Sequence, residues 1–489
     1  MVLKFKTGFR RTALAGAAVI AVSASPVVAQ RAGSAITPTE AQQGAQYHPE
    51  LLREFGGEMT GPQADYVKQV GQNIAVQSGL SNSASAFNVT LLNSSVNNAF
   101  AIPGGYVYVT RQLVSLMNNE AELAGVLGHE VGHVAARHSK QRQDAAARNS
   151  VLGALGSILS GVLLGNNALG QLGQQVFSTA PQLLTLKYSR KQETEADRLG
   201  VQYLRSAGYD PHAMATVLQS LAAQGALDAR LEGRDATMPE WASSHPDPAS
   251  RAQGANSLAG NLTGVTNRDT FLTRIDGVLY GDDPHQGVVE GNTFIHPDLR
   301  LTFTVPQGYY MVNGSTEVSI NGQGGQAQLT TAAFDGNLES YVRQAFQTIG
   351  GRTQLAPQNL QRSRINGLET LIGTSRVNAS QGAVDVTVVA YQFANNQVLH
   401  FSSITPAGRA SVFNPMYNSM RRISAQEAAQ VIPRRIDVVT ARNGDTVQSL
   451  ANRMAYSNAQ VERFRVLNGL SANAQVVPGE KYKIVIRSN

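Results

Sequence analysis

Asn119-Glu-Ala-Glu122-Leu-Ala-Gly-Val-Leu-Gly-His129-Glu130-Val-Gly-His133-Val-Ala-Ala-Arg-His138 is the stretch that decides how this chain folds. Asn119 and Glu122 form a capping-box pattern, and the Ala, Leu and Val that follow predict one helix running to His138. At roughly 100° per residue, positions four apart share a face. His129 and His133 can therefore hold one zinc ion, with Glu130 beside them where a water would bind. Such a metal acidifies the water, and Glu130 accepts its proton to give a nucleophile for an amide carbonyl. Two surface histidines one turn apart stand as the alternative until a third ligand is found.

A catalytic zinc site takes three protein ligands and keeps one position open. Glu193 in Ser189-Arg-Lys-Gln-Glu193-Thr-Glu195-Ala-Asp197 is the candidate third ligand. Its helix is expected to end near Ala207, with Gly208 as the cap and Asp210-Pro211 opening the next helix. Asp197 lies one turn from Glu193, where a carboxylate can accept the free N–H of a ligating imidazole and fix its tautomer. Glu195 and Arg198 read as an exposed charged turn. His138, nine residues past His129 and about half a turn out of phase, is expected to face away from the metal.

HExxH followed by ExxAD resembles the gluzincin metallopeptidases of the HtpX, CAAX prenyl protease and BepA type, here their soluble periplasmic branch. Asn98-Ala-Phe-Ala-Ile-Pro-Gly-Gly105-Tyr-Val-Tyr-Val109, Ser189-Arg190, and Ser244-His245-Pro246 with Arg251 carry the same likeness, which covers Ala41 to Gly260. The resemblance implies His129, His133 and Glu193 as ligands of one zinc per chain, Glu130 as general base and Asp197 as orienter. It also implies that His245 approaches the metal, either in the water position or to bind the transition state; a turn-capping histidine is the alternative. Zinc, with His245 or Arg251, would hold the oxyanion. Ala99, Phe100, Ala101 and Ile102 read as an edge strand to which an extended substrate can add.

Composition frames these expectations. Lys4, Lys6, Arg10 and Arg11 precede an apolar run from Thr12 to Val22 and then Val27-Val28-Ala29, the pattern of an export signal over residues 1–29. The run is too short for a membrane span, and without cysteine there are no disulfides. The expected compartment is the bacterial periplasm, with the cell wall or outer membrane as a surface to associate with. The net charge is +6, but removing the four basic residues of the signal leaves +2, which argues against nucleic acid as a partner. Residues 434–489 hold nine Lys/Arg against four Asp/Glu, a basic tail suited to an anionic surface.

The fold class expected is multidomain. A mainly α-helical gluzincin-type metalloprotease domain with a small β-sheet occupies residues 30–268. Within it, Val151–Leu164 reads as a buried helix pair or a lid over the cleft. An α+β domain follows at 269–428, weakly similar to the PsbP/Mog1-like sandwich near His296–Pro306. Strands are expected at Leu301–Pro306, Gln326–Phe334, Leu368–Val377, Val384–Phe393 and Val398–Ser403, with helices at Leu338–Ile349 and Ala410–Arg422. Residues 434–489 resemble a βααβ LysM module through Asn443-Gly-Asp-Thr-Val447, Leu467-Asn468 and Val477-Pro-Gly-Glu480, which implies binding to peptidoglycan glycans. Tyr482, where the module usually has an aliphatic residue, departs from that pattern. The implied activity is a metalloendopeptidase acting on misfolded or misassembled envelope proteins. A peptidoglycan-associated chaperone or scaffold and a cell-wall cross-link peptidase are the alternatives.

Overall fold

The computed structural model describes residues 35–141, 188–231, 245, 247–350, 355–379 and 382–489. The expected export signal and the apolar stretch 151–164 lie outside them.

Helix α1 (Pro38–Glu54) opens on a capping box between Thr37 and Glu40, and α2 (Pro62–Ala75) also starts with proline, where a missing N–H costs nothing. Strands β1 (Asn88–Leu92), β2 (Ala99–Ile102) and β3 (Tyr106–Thr110) form a sheet in the order β1-β3-β2. β2 is antiparallel to β3, from Ala99 opposite Val109 to Ile102 opposite Tyr106, and lies at the edge of this sheet. Helices α3 (Arg111–Leu116), α4 (Glu120–Ala135), α5 (Arg190–Ser206), α6 (Ala213–Leu231) and α7 (Pro248–Ala259) build the rest of the domain. Ile74, Val107, Leu127, Leu204 and Met214 share its core.

α4 is apolar on nearly every side, as a helix through the middle of a domain must be. Asn119 caps it by accepting from the Glu122 N–H at 2.9 Å, but the Glu122 carboxylate reaches back to the N–H of Asn118 at 2.7 Å, one residue beyond the expected box. The helix also stops short of His138. Arg137 adopts a left-handed φ of 55° and turns the chain, so the assumed helical phase does not apply to His138. α5 ends as expected, with Gly208 at φ 79° after its last turn, and a capping box between Ser189 and Gln192 closes its start.

The expected boundary at 268/269 falls in the first turn of α8 (Arg268–Ile275). Phe271, Leu272 and Ile275 of that helix lie in the first core, which their apolar side chains complete. β4 (Leu279–Tyr280) then pairs with a strand near the C-terminus, and the sheet domain begins beyond it. β5 (Val288–Glu290), β6 (Thr293–His296) and β7 (Leu301–Thr304) make a small sheet. β8 (Tyr310–Asn313), β9 (Val318–Gly322), β10 (Gly325–Thr331), β11 (Asn359–Ile365), β12 (Leu368–Ala379), β13 (Gly382–Ala394) and β14 (Gln397–Pro406) make a larger one. Its order is β11-β12-β13-β14-β10-β9-β8 and it is antiparallel throughout. One face of this sheet meets helix α9 (Leu338–Gly350) through Val342, Phe346 and Val388; the other meets the small sheet through Phe294, Phe303 and Phe401. The helix expected over Ala410–Arg422 is shorter. After Ser419 the chain extends, and β15 (Arg421–Arg422) pairs with β7.

The C-terminal unit is βααβ: β16 (Arg434–Thr440), α10 (Val447–Ala451), α11 (Gln460–Leu467) and β17 (Lys481–Arg487). Its core includes Ile436, Leu450, Phe464 and Tyr482, and its sheet runs β17-β16-β4. Arg111, fully buried, crosses from α3 to accept this arrangement, donating to the carbonyls of Leu279 at 3.1 Å and Gly281 at 2.6 Å.

Candidate metal centre

α4 and α5 cross on glycine. A Cβ placed on Gly200 would stand 3.2 Å from the His129 amide nitrogen, and one on Gly132 would stand 3.2 Å from the Ala196 carbonyl oxygen. That close approach brings Glu193, two turns before Gly200, against the two histidines of α4. His129 Nε2 and His133 Nε2 are 3.0 Å apart, and Glu193 lies 3.6 Å from the first through Oε2 and 3.5 Å from the second through Oε1. His245 completes the group, with Nδ1 3.3 Å from His129 Nε2 and 3.0 Å from Glu193 Oε1. All four residues are buried, with one potential ligand atom from each within 4.8 Å of the others.

These spacings fit a cation. A tetrahedral zinc site with bonds of roughly 2.0–2.1 Å separates its ligand atoms by roughly 3.3 Å. The tautomers fit as well. His129 Nδ1 is 2.9 Å from Asp197 Oδ1, so that nitrogen carries the proton and Nε2 keeps its lone pair for the cluster. His133 Nδ1 is 2.8 Å from His138 Nδ1, and His138 Nε2 is 3.4 Å from Glu195 Oε2. With Glu195 accepting from His138, the other ring nitrogen of His138 can accept from His133. Two Nε2 lone pairs then point at one another 3.0 Å apart, an arrangement that a cation between them stabilises.

Charge supports the same reading. Burial alone would raise Glu193, but the positive charge of His245 beside it outweighs that and holds the carboxyl far below the usual carboxylate range. Burial is likewise overcome at Asp197, by Arg251 and His129. Burial holds His133 well below its ordinary value, leaving the neutral imidazole that ligation requires. His245 goes the other way, because Glu193 and Glu130 outweigh its burial. Its Nε2 is 3.6 Å from Glu130 Oε1, so the ring stands between the candidate ligand Glu193 and the candidate base Glu130.

Arg251 donates to Asp197 through Nε at 2.8 Å and Nη2 at 2.6 Å, and its Nη1 is 2.7 Å from Glu193 Oε2. Its fork thus positions two carboxylates. His138 and Glu195, read from sequence as uninvolved, support His133 from behind. Glu195 is exposed as expected, yet it is the carboxylate that orders His138. Tyr188 was also not foreseen; its ring stacks on His133 with centroids 3.6 Å apart at 21°. Neither His138 nor Tyr188 shares the helical phase of the ligands, since His138 starts a new helical stretch after the turn at Arg137 and Tyr188 lies just before α5. β2 packs against α4, and Ala99, Phe100, Ala101 and Ile102 are all buried.

A buried HExxH helix crossed by a glutamate-bearing helix is an arrangement suited to a metallopeptidase. Residues 62–259 match the model of peptidase family M48, so this part of the chain is similar to an M48 metallopeptidase domain. The Beta-barrel assembly-enhancing protease of Escherichia coli O157:H7 is 30% identical over 256 residues, 51% of this chain and 50% of that protein. The Metalloprotease LoiP of Escherichia coli (strain K12) is 33% identical over 158 residues, 32% of this chain and 56% of that protein. The chain spans about half the length of the curated relatives it matches. Among solved structures, cyanobacterial PsbP from Synechocystis sp. PCC 6803 aligns with 27% of this chain and 91% of that chain at 13% identity. Its TM-score of 0.23 is too low to bear on the fold of the sheet domain.

Proposed function

We propose that this chain is an exported zinc metalloendopeptidase that hydrolyses peptide bonds of misfolded or misassembled envelope proteins. The observation that carries the reading is the convergence of His129, His133, Glu193 and His245 on one buried point. His129, His133 and Glu193 are the zinc ligands in this reading. Asp197 fixes the His129 tautomer, and Arg251 holds Asp197 and Glu193 in register. Bound zinc supplies Lewis acidity that acidifies a water and polarises the scissile carbonyl. Glu130 takes the proton of the attacking water and returns it to the leaving amine. His245 stands at the fourth corner, where it either closes the resting site or, once displaced, donates to the developing oxyanion. β2, the edge strand of its sheet among the described residues, pairs with an extended peptide through its backbone, with little demand on sequence.

The envelope setting rests on the export-type N-terminus and on a relative named for enhancing β-barrel assembly. Among the described residues no helix is long and apolar enough to cross a membrane. The βααβ order of residues 434–489 supports a LysM-like unit that holds the enzyme at peptidoglycan. The test is Glu130→Gln. Casein hydrolysis should disappear while the protein keeps one zinc per chain by elemental analysis. Casein cleavage at the wild-type rate by that variant would sink the mechanism.

A further inference from the structure

Lys483 is buried in a way that the proposed activity does not use. It sits on β17 of the C-terminal unit with no exposed surface, yet its ammonium lies inside the peptidase domain. Nζ donates to the carbonyl oxygens of Ser115 at 2.8 Å and Leu116 at 3.3 Å, and to that of Met117. Ser115 and Leu116 are the last two residues of α3 and Met117 follows them, so the ammonium sits at the helix end that favours a cation. The lysine is presented rigidly, because Asn468 accepts from its backbone N–H at 2.7 Å and donates to its carbonyl at 2.9 Å. Desolvating an ammonium is costly, and burial pushes Lys483 down to about 7 against the attraction of Glu122. A methionine would fill the same space without that cost, so the cation calls for a reason beyond packing.

The turn it grips leads directly into the helix that carries the metal ligands. Asn118, next after Met117, donates its N–H to Glu122 Oε2 at 2.7 Å, and Thr216 donates to Glu122 Oε1 at 2.7 Å. Glu122 lies in the first turn of α4, and His129 is seven residues on, the same face roughly 10 Å along the axis. α4 is a buried rod, so a shift at its first turn is carried to His129 and His133. We infer that Lys483 is a positioning residue of the peptidase: by holding residues 115–117 from the C-terminal unit it sets where α4 begins, and so where His129 and His133 stand. The C-terminal unit is then a fixed part of the catalytic body, whatever else it binds.

The inference rests on the peptidase reading, and the test separates the two. Casein hydrolysis and amide exchange are measured on the full-length protein with Lys483→Met, Glu122→Gln and both together. Lys483→Met should lower kcat about ten-fold, as a sub-ångström misplacement does, with KM within about two-fold of wild type. Exchange over residues 115–122 should quicken while residues 434–440 stay protected. Glu122→Gln should show the same kind of loss, and the double variant should be no worse than the worse single one. If Lys483→Met does not fold, Glu122→Gln carries the test, and wild-type kcat in that folded variant overturns the inference. Arg268→Ala is the control. Arg268 Nη2 donates to the Lys481 carbonyl at 2.6 Å, so its loss loosens the same unit without touching the 115–117 turn. It should leave kcat unchanged; an equal loss there, or wild-type kcat in folded Lys483→Met, overturns the inference. Wild-type protein without peptidase activity would instead defeat the peptidase reading, and the exchange data would still decide whether Lys483 fixes the turn.

Discussion

His138 shows how far single residues can be read. His129, Glu130, His133 and Glu193 are legible because their chemistry is tied to helical spacing, and α4 and α5 keep that spacing. His138 is not, because its position depends on Arg137 turning left-handed without a glycine or asparagine to announce it. The structure makes its role testable. A ring nitrogen 2.8 Å from His133 Nδ1 orients that imidazole and raises its basicity, and removing such a partner typically costs about 10–100-fold in metal affinity. His138→Ala should therefore bind zinc about 10–100-fold more weakly in competition with a chromophoric chelator. Glu195→Gln should cost less, since that carboxylate is about half exposed and its contact with His138 is long at 3.4 Å. Unchanged zinc affinity in His138→Ala would remove the residue from the metal's support.

At the scale of elements, the crossing of α4 and α5 decides whether two correct motifs become one site. Each motif is readable within its own helix, but the requirement for Gly200 is not. It arises because a Cβ there would stand 3.2 Å from the amide nitrogen of His129, closer than ordinary van der Waals contact. In one helix considered alone, glycine is a weak spot that alanine would improve by about 0.8–1 kcal/mol. At the crossing that gain is opposed by atoms at 3.2 and 3.4 Å, both of them backbone and unable to rotate away. Gly200→Ala is accordingly expected to change stability by less than about 1 kcal/mol. Gly200→Val adds two methyl groups to the same gap and should cost about 1–3 kcal/mol in urea unfolding, with weaker zinc binding as Glu193 is pushed from His129. A valine variant with wild-type stability and zinc affinity would mean that the helices can separate without disturbing the site. β2 adds a different lesson: its four apolar residues show no alternation to mark a strand, and the order β1-β3-β2 shows which edge it lies on.

Over the whole molecule, the sequence texture indicates three regions, because β-branched alternation, a helical zinc motif and a basic tail differ in composition. It does not show that the first and third regions are joined. That junction depends on a two-residue strand, β4, and on buried Arg111 and Lys483, none of which stands out in a list of residues. Met59 and Val438 pack against both cores, so the peptidase domain and the C-terminal unit should unfold together. The sheet domain has its own cores and an acid-sensitive group within them. His400 is 6% exposed, and its Nδ1 is 2.8 Å from the Tyr341 hydroxyl, which already accepts from the Ala332 N–H. The hydroxyl proton therefore points at His400, and a protonated ring would set donor against donor. Burial accordingly pushes His400 down to about 4. A folded value below the unfolded 6.5 means that the native state binds fewer protons. The contribution of His400 is present in full above pH 6.5 and declines as pH falls toward 4. Its slope is about 1.4 kcal/mol per pH unit, roughly 3 kcal/mol over the window. In calorimetry between pH 7 and 5, the sheet-domain transition should fall with acid, and His400→Gln should flatten that fall while leaving the peptidase transition in place. An unaltered pH slope in His400→Gln would assign the acid sensitivity to carboxylates instead.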